Sequence, residues 1–215
     1  MRMIDAVGGW GRAGHHALPA RFFHRPADVV ARALIGTVLV SRRRGALTAG
    51  RIVETEAYLG AGDPASHAYN FRRHAQNGSV YAPPGTWYIY RSYGIHWCCD
   101  LTASGPAPGS AVLIRAIEPL DGLSIMRRRR GGVPDARLAD GPGKVCQALG
   151  IDQSLDGIVM AGSWAVVLTS RWREEVAATP RIGISKAVDW PLRFVAAGSR
   201  ASLKRTARRS ETGGR

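Results

Sequence analysis

The chain has 215 residues, 45% of them hydrophobic, with 30 Lys and Arg against 16 Asp and Glu and a net charge of +14. That length suits one domain with a buried core, and the charge favours nucleic acid as partner, then an anionic membrane surface, with inflated arginine usage as the plain alternative. No apolar run nears the ~20 residues of a membrane span, no secretory h-region follows the start, and Cys98, Cys99 and Cys146 lack the paired spacing of a disulfide framework or metal site, so a reduced, cytoplasmic protein is expected.

Residues 1–18 are rich in Gly, His and Arg and are expected to be flexible. Pro26, Ala27 and Asp28 open a helix, "ADVVARALIG", which Gly36 ends in C-cap style. "TVLVSRRRGALTAGRIVETEAYL" predicts two strands joined by a basic turn through Arg42, Arg43, Arg44 and Gly45. Residues 60–86 read as a long loop, and a loop of that length in a compact domain is functional or mobile. "TWYIYRSYGIHWCCDLTAS" predicts strand, turn and strand, with the turn at "SYG". "GSAVLIRAIEPL" is a further strand, "PLDGLSIMRRRRG" a helix with a basic end, and "DGPGKVCQALGI" a loop feeding a helix. "WAVVLTS" and "RIGIS" read as strands, and "PLRFVAAG" closes the core. Residues 199–215 form a basic tail expected to be disordered. Mostly adjacent strands, with no internal repeat, predict one α+β domain over residues 19–198 rather than a doubly wound sheet.

Glu54 and Glu56 stand one residue apart in a predicted strand, so at period 2 they share a face and repel. Such a pair suits general acid–base work. A solvated strand face is the plain alternative. A lone His67 is more often structural than catalytic. Tyr88 and Tyr90 share a strand face, and Tyr93 sits on the turn beyond. Aromatic faces beside arginine hold unstacked bases, and a tyrosine on a turn is placed to wedge between base pairs. An ordinary aromatic core accounts for Trp87 and Trp97, but a turn tip does not bury a core side chain. "DGPGKVCQALGI" looks like a phosphate loop, yet Leu138 breaks the G-x-x-x-x-G-K pattern. A helix-hairpin-helix reading of the same segment lacks a convincing first helix. His15, His16, His24 and His96 are scattered and suggest no metal site.

Together, "RIVETEAYLG…DPASHA", "PPGTWYIYRSYGIHWCC", "AVLIRAIEPLDG", "DGPGKVCQALGI" and "RIGISKAVDWPLRF" resemble the alkyladenine (3-methyladenine) DNA glycosylase family, the monofunctional purine glycosylases of base excision repair. The blocks run in the family's order over about residues 20–198. The resemblance implies a single domain with a curved antiparallel β-sheet flanked by short helices. It implies a monomer that acts on double-stranded DNA containing damaged purines, alkylated or deaminated, with no cofactor and no metal. Glu56 would be the general base that activates a water. Arg115 would support that water and the flipped nucleotide's phosphate. Tyr58, His67 and Tyr90 would sandwich the flipped base, with His67 also hydrogen-bonding its edge. Leu113 and Ile182 would be apolar walls or supports, and Tyr93 would fill the gap left in the duplex.

The chemistry is consistent with those roles. Excision passes through an oxocarbenium-like state, which a carboxylate facing C1′ stabilises while it deprotonates the attacking water. No amine nucleophile is needed, so the abasic site stays intact. On this reading Glu54 either tunes Glu56 or is turned away by a local twist. Arg42 to Arg44, Arg127 to Arg130 and the tail are candidates for salt-dependent phosphate contacts. Two departures from the family pattern stand out. Asp100 replaces the usual Asn in the pocket, which predicts a shift toward cationic lesions. Gln76 stands where an Arg is usual, at a DNA-backbone or loop-ordering position. The alternatives are a catalytically weak DNA-binding member of the family, and a glycosidase or nucleosidase for small substrates.

Overall fold

Fourteen consecutive residues form one long strand, β2 (Ala46–Leu59), and much of the sheet is built on it. The computed structural model of the chain describes residues 9–10, 14–172 and 175–199. Apart from Ser199, the tail expected at 199–215 lies outside the described residues, as does much of 1–18. β1 (Val38–Arg43) enters β2 through Arg44 and Gly45, whose φ values of 49° and 78° match the positive-φ turn of a tight hairpin. β3 (Trp87–Ser92), β4 (His96–Thr102) and β5 (Ser110–Asp121) form a meander. β6 (Ala165–Leu168), β7 (Val176–Thr179) and β8 (Arg193–Ala196) complete the sheet. The order is β3-β4-β5-β2-β1-β6, with β8 paired to both β2 and β7. Every strand pair is antiparallel.

Both edges of β2 are used, one by β5 and the other by β1 over residues 46–51 and β8 over 54–56. The β2–β5 register shifts three times, leaving Val53 as an extra residue on β2 and Arg115 and Leu120 as extra residues on β5. Such bulges increase local twist and bend a strand, and the sheet here is curled. Gly50 sits at one shift for steric reasons. A Cβ there would lie 2.6 Å from Ile117 Cδ1 and 3.0 Å from the Glu118 carbonyl oxygen.

Among the described residues, three short helices cover the sheet. α1 (Ala27–Leu34) buries Ala27, Val30, Ala31 and Leu34, the single face that i, i+3, i+4 and i+7 define, against β2 and β5. α2 (Leu123–Arg129) and α3 (Pro142–Leu149) pack on one another, and α3 also covers β4 and β5. The core runs through Leu39, Ile52, Trp87, Leu101, Ile114, Met126 and Leu149, all fully buried. The fold is thus a single α+β domain with a curled antiparallel sheet. Among the described residues no helix is long and apolar enough to cross a membrane.

One predicted element is absent. "RIGIS" is not a strand. β7 lies just before it, and Pro180 with its missing N–H follows β7 directly. Beyond it, Gly183 adopts φ 79° and the Ile182 N–H is directed to a carboxylate, so no strand ladder continues.

The 60–86 loop contains only three short 3-10 turns, at Gly60–Gly62, Tyr69–Phe71 and Gly78–Tyr81. Its order comes from Asn77, which is fully buried. Asn77 Nδ2 donates to the carbonyls of His67 at 3.1 Å and Arg72 at 3.0 Å, and Asn77 Oδ1 accepts from the His74 N–H at 2.8 Å. Asn77→Ala strips the His67 carbonyl and the His74 N–H of their partner, removes one of two donors from the Arg72 carbonyl, and is expected to cost about 2–3 kcal/mol. Urea unfolding checks the cost, and faster amide exchange across residues 67–77 checks that the loop is where it falls.

Candidate active site

β2 carries Glu54, Glu56 and Tyr58 on one face, and the first two are completely buried. Two carboxylates so placed repel strongly in a low dielectric. The extra residue on β5 resolves this. Arg115 Nε donates to Glu54 Oε1 and its Nη1 donates to Glu56 Oε2, both at 3.1 Å. Arg193 on β8 adds a second donor to Glu54 Oε1 at 3.0 Å. Glu54 is therefore not turned away: it shares the face of Glu56 and is tied to two arginines. Burial opposes the charge on Arg115, but Glu56 and Glu54 outweigh it and raise the pKa of the guanidinium.

Glu56 has two further donors. The Tyr58 hydroxyl donates to Oε2 at 2.9 Å and the Ile182 N–H donates to Oε1 at 2.8 Å. Burial, then the charge on Glu56, push the Tyr58 pKa up, so its phenol keeps the proton it donates.

The segments that hold these donors are themselves locked together. Arg181 donates to both oxygens of Asp63, at 2.5 and 2.8 Å, and to the Ala57 carbonyl at 3.0 Å. Its guanidinium carbon lies 4.8 Å from the centre of the Tyr58 ring. Asp63 also accepts the N–H groups of Leu59 and Ala65. Burial raises the Asp63 pKa, and Arg181 with those two N–H donors more than offsets it, leaving the carboxyl below its usual range.

In front of Glu56 lies a cleft of about 620 Å³. Tyr58, Arg115 and Ile182 line it, so the three groups that hold Glu56 separate it from the open space. Tyr88 and Tyr90 stack with ring centres 4.9 Å apart, and the His67 ring meets Tyr90 edge-on at 4.6 Å. His67 Nδ1 and the Tyr88 hydroxyl share a hydrogen bond of 2.7 Å. Solvent reaches His67 along the cleft, yet the surrounding protein still withdraws water from it. That desolvation, followed by His74 and Arg72, lowers its pKa and favours the neutral imidazole.

Asp100 also lines the cleft, nearly fully buried on β4 beside Tyr88 of β3 and Leu113 of β5. Its Oδ1 has no hydrogen-bond partner among the described residues. Burial raises the Asp100 pKa well above the ordinary range, Glu56 raises it further, and Arg115 opposes. Burial thus favours the protonated form of Asp100.

The expected site residues Tyr58, His67, Tyr90, Asp100, Leu113, Arg115 and Ile182 all converge on this cleft, and Tyr93 stands at its edge, 86% exposed. Leu113 is a wall, but Ile182 contributes its backbone N–H to Glu56 as well as its side chain to the cleft. The sequence reading did not select Tyr88 as a site residue, nor Asp63 and Arg181, nor the cations Arg72, Arg91 and Lys186 that line the cleft. The alternation of Tyr88 with Tyr90 was a usable signal. The Asp63–Arg181 pair, 118 positions apart, left none.

The arginine runs do not line the cleft. Arg43, Arg44, Arg128 and Arg129 surround a separate shallow depression at the start of β2, about 40 Å along the strand from Tyr58 at 3.3 Å per residue. Arg127 is paired with Asp135, and Arg130 with Gln147 and the Leu138 carbonyl. Gln76 is exposed, and its N–H donates to His74 Nδ1 at 3.2 Å.

A family model described as methylpurine-DNA glycosylase matches residues 21–200. The chain belongs to that family. Among curated relatives, a protein of Agrobacterium fabrum provisionally named a 3-methyladenine DNA glycosylase is 46% identical over 85% of this chain and 90% of its own. A Nitrosospira multiformis protein with the same provisional name is 48% identical over 84% of this chain and 91% of its own. The mouse protein named DNA-3-methyladenine glycosylase is 42% identical over 85% of this chain and 60% of its own.

The state of Asp100 has a thermodynamic consequence. Its pKa in the folded chain lies well above 3.8, its ordinary value. Between those two values the folded state holds a proton that the unfolded state has released, so this group lowers stability as pH rises. Asp100→Asn is therefore expected to be more stable than the wild type at pH 7, with the difference shrinking as pH falls to 3.8 and below. Denaturant titrations across that range measure it.

Proposed function

We propose that this protein flips a damaged purine out of double-stranded DNA into the cleft and hydrolyses its N-glycosidic bond, leaving an abasic site. The observation that carries this reading is the setting of Glu56: a buried carboxylate gripped by Tyr58, Arg115 and the Ile182 N–H, directly behind a cleft walled by stacked aromatics. Membership of the family, and the names of its relatives, support methylated purines as the substrate class.

As the bond between C1′ and the purine nitrogen stretches, its electron pair leaves with the base and positive charge grows on the sugar. Glu56 offsets that charge and takes a proton from the attacking water, whose oxygen bonds to C1′. Because Arg115 is shared with Glu54, and Arg193 also serves Glu54, the arginines orient Glu56 without a local excess of positive charge. Tyr88, Tyr90, Tyr58 and His67 would hold the flipped base by stacking and edge contacts. Tyr93 would occupy the vacated place in the duplex. The nucleophile is water rather than an amine. The lysine that lines the cleft, Lys186, is exposed, with its nitrogen 5.7 Å from the centre of the Tyr69 ring. The enzyme acts as a monomer on one extruded base.

Single-turnover assays on duplexes carrying 3-methyladenine, 7-methylguanine, hypoxanthine or ethenoadenine test the reading. Abasic product is expected from the wild type, with no borohydride-trapped adduct. Glu56→Gln is expected to bind DNA normally and to excise about 10²–10⁴-fold more slowly. Tight, salt-sensitive binding without product from any lesion would favour a DNA-binding member with weak catalysis.

Asp100 supports a finer proposal about lesions. A cationic alkylated purine in the cleft would displace the Asp100 proton and form an ion pair in low dielectric, whereas a neutral purine would meet the protonated acid. The ratio of 7-methylguanine to hypoxanthine excision should then rise with pH in the wild type and stay flat in Asp100→Asn. Equal pH dependence of that ratio in both proteins would sink the idea.

A further inference from the structure

Five non-glycine residues among those described have positive φ, and two of them also belong to the large, strongly exposed apolar side chains: Tyr93 and Phe71. Tyr93, at φ 50°, was anticipated on the β3–β4 turn. Phe71, at φ 58° and 67% exposed, was not. A bulky side chain in this region is a backbone outlier, and its immediate neighbour Asn70 is also left-handed, at φ 53°. Packing does not account for the ring, because most of it faces solvent. Strain of this kind persists where the surroundings enforce it, and it clusters at binding sites.

The surroundings do enforce it. The Arg72 carbonyl accepts from Asn77 Nδ2 at 3.0 Å and from the Tyr81 hydroxyl at 2.6 Å, so the backbone just after Phe71 is fixed from two directions. The residues on either side of the Asn70–Phe71 kink, Tyr69 and Arg72, both line the cleft. Cations surround it: Arg72 itself, Arg73 stacked 3.8 Å over the Tyr81 ring, and Lys186 near Tyr69. An exposed apolar ring on a braced loop, flanked by cations at the mouth of the cleft, has the layout of an intercalating side chain between phosphate-binding groups.

The geometry points to Phe71 as a second duplex-facing wedge, on the loop rim of the cleft as Tyr93 is on the turn rim. Its ring stacks against the bases that flank the extruded nucleotide, and Arg72 and Arg73 meet the adjoining phosphates. This inference rests on the proposed function, because it takes duplex DNA as the occupant of the cleft mouth.

Phe71→Gly separates binding from folding, because glycine accepts φ 58° without strain. The probe is a duplex carrying ethenoadenine, with 2-aminopurine as the neighbouring base on either side. Phe71→Gly is expected to bind it roughly tenfold more weakly. The protein's melting temperature should be unchanged or higher, and the 2-aminopurine response should be lost on one side of the lesion. Phe71→Tyr should keep both affinity and response. Wild-type affinity and fluorescence in Phe71→Gly would overturn the inference. So would a loss of affinity that comes with a lower melting temperature, or one that Phe71→Tyr shares. Excision is scored on the same duplex as a separate readout. A wild type that binds but releases no base overturns the glycosylase reading alone, while the Phe71 affinities still decide the wedge.

Discussion

The arrangement of the site depends on one guanidinium held between two buried carboxylates. Glu54 and Glu56 have no access to water, and the fork of Arg115, joined by Arg193, offsets the charge on their shared face. Removing one partner from such a buried set leaves an uncompensated charge, a cost of about 3–5 kcal/mol. The bulge that makes Arg115 an extra residue on β5 is the local irregularity that places it opposite the gap between Glu54 and Thr55. One of the three deviations in the β2–β5 ladder thus serves both the curl of the sheet and the charge balance of the candidate site.

What this arrangement provides is a carboxylate held in one orientation by donors from three directions. Burial disfavours the charged form of an isolated carboxyl, and it pushes the Asp100 pKa up in that way. Glu56 on β2 and Asp100 on β4 are separated in the sheet only by β5, yet donors are directed at both oxygens of Glu56 while Asp100 Oδ1 has no partner among the described residues. The two acids are buried alike and differ in the hydrogen-bond donors that reach them.

Local pattern made much of this legible. Strand alternation gave the common face of Glu54 and Glu56, the pairing of Tyr88 with Tyr90 and the turn position of Tyr93, because each depends on residues a few positions apart. Helix periodicity gave α1 and its buried face. What escaped was long-range. The contact between Asp63 and Arg181 spans most of the domain, and neither neighbourhood marks it. "RIGIS" has the composition of a strand and fails to be one only because a proline precedes it and a distant carboxylate takes an N–H from it. The arginine runs were visible as charge, but their position at the far end of β2 follows from strand length and sheet order. The ring of Phe71 was hidden for another reason: nothing in "AYNFRRH" announces two left-handed residues in succession.

The donor from Ile182 to Glu56 is a backbone N–H, and that changes how the site responds to mutation. Every residue but proline offers the same group, so substitution at position 182 alters the cleft wall and leaves the donor in place. An alanine scan would therefore pass over one of the three contacts that aim the carboxylate. Control of it lies next door, in the side chain of Arg181, whose anchorage to Asp63 and Ala57 fixes the path of the chain. The heritable information for that hydrogen bond is thus written one residue away from the atom that makes it, and also at the far end of an ion pair.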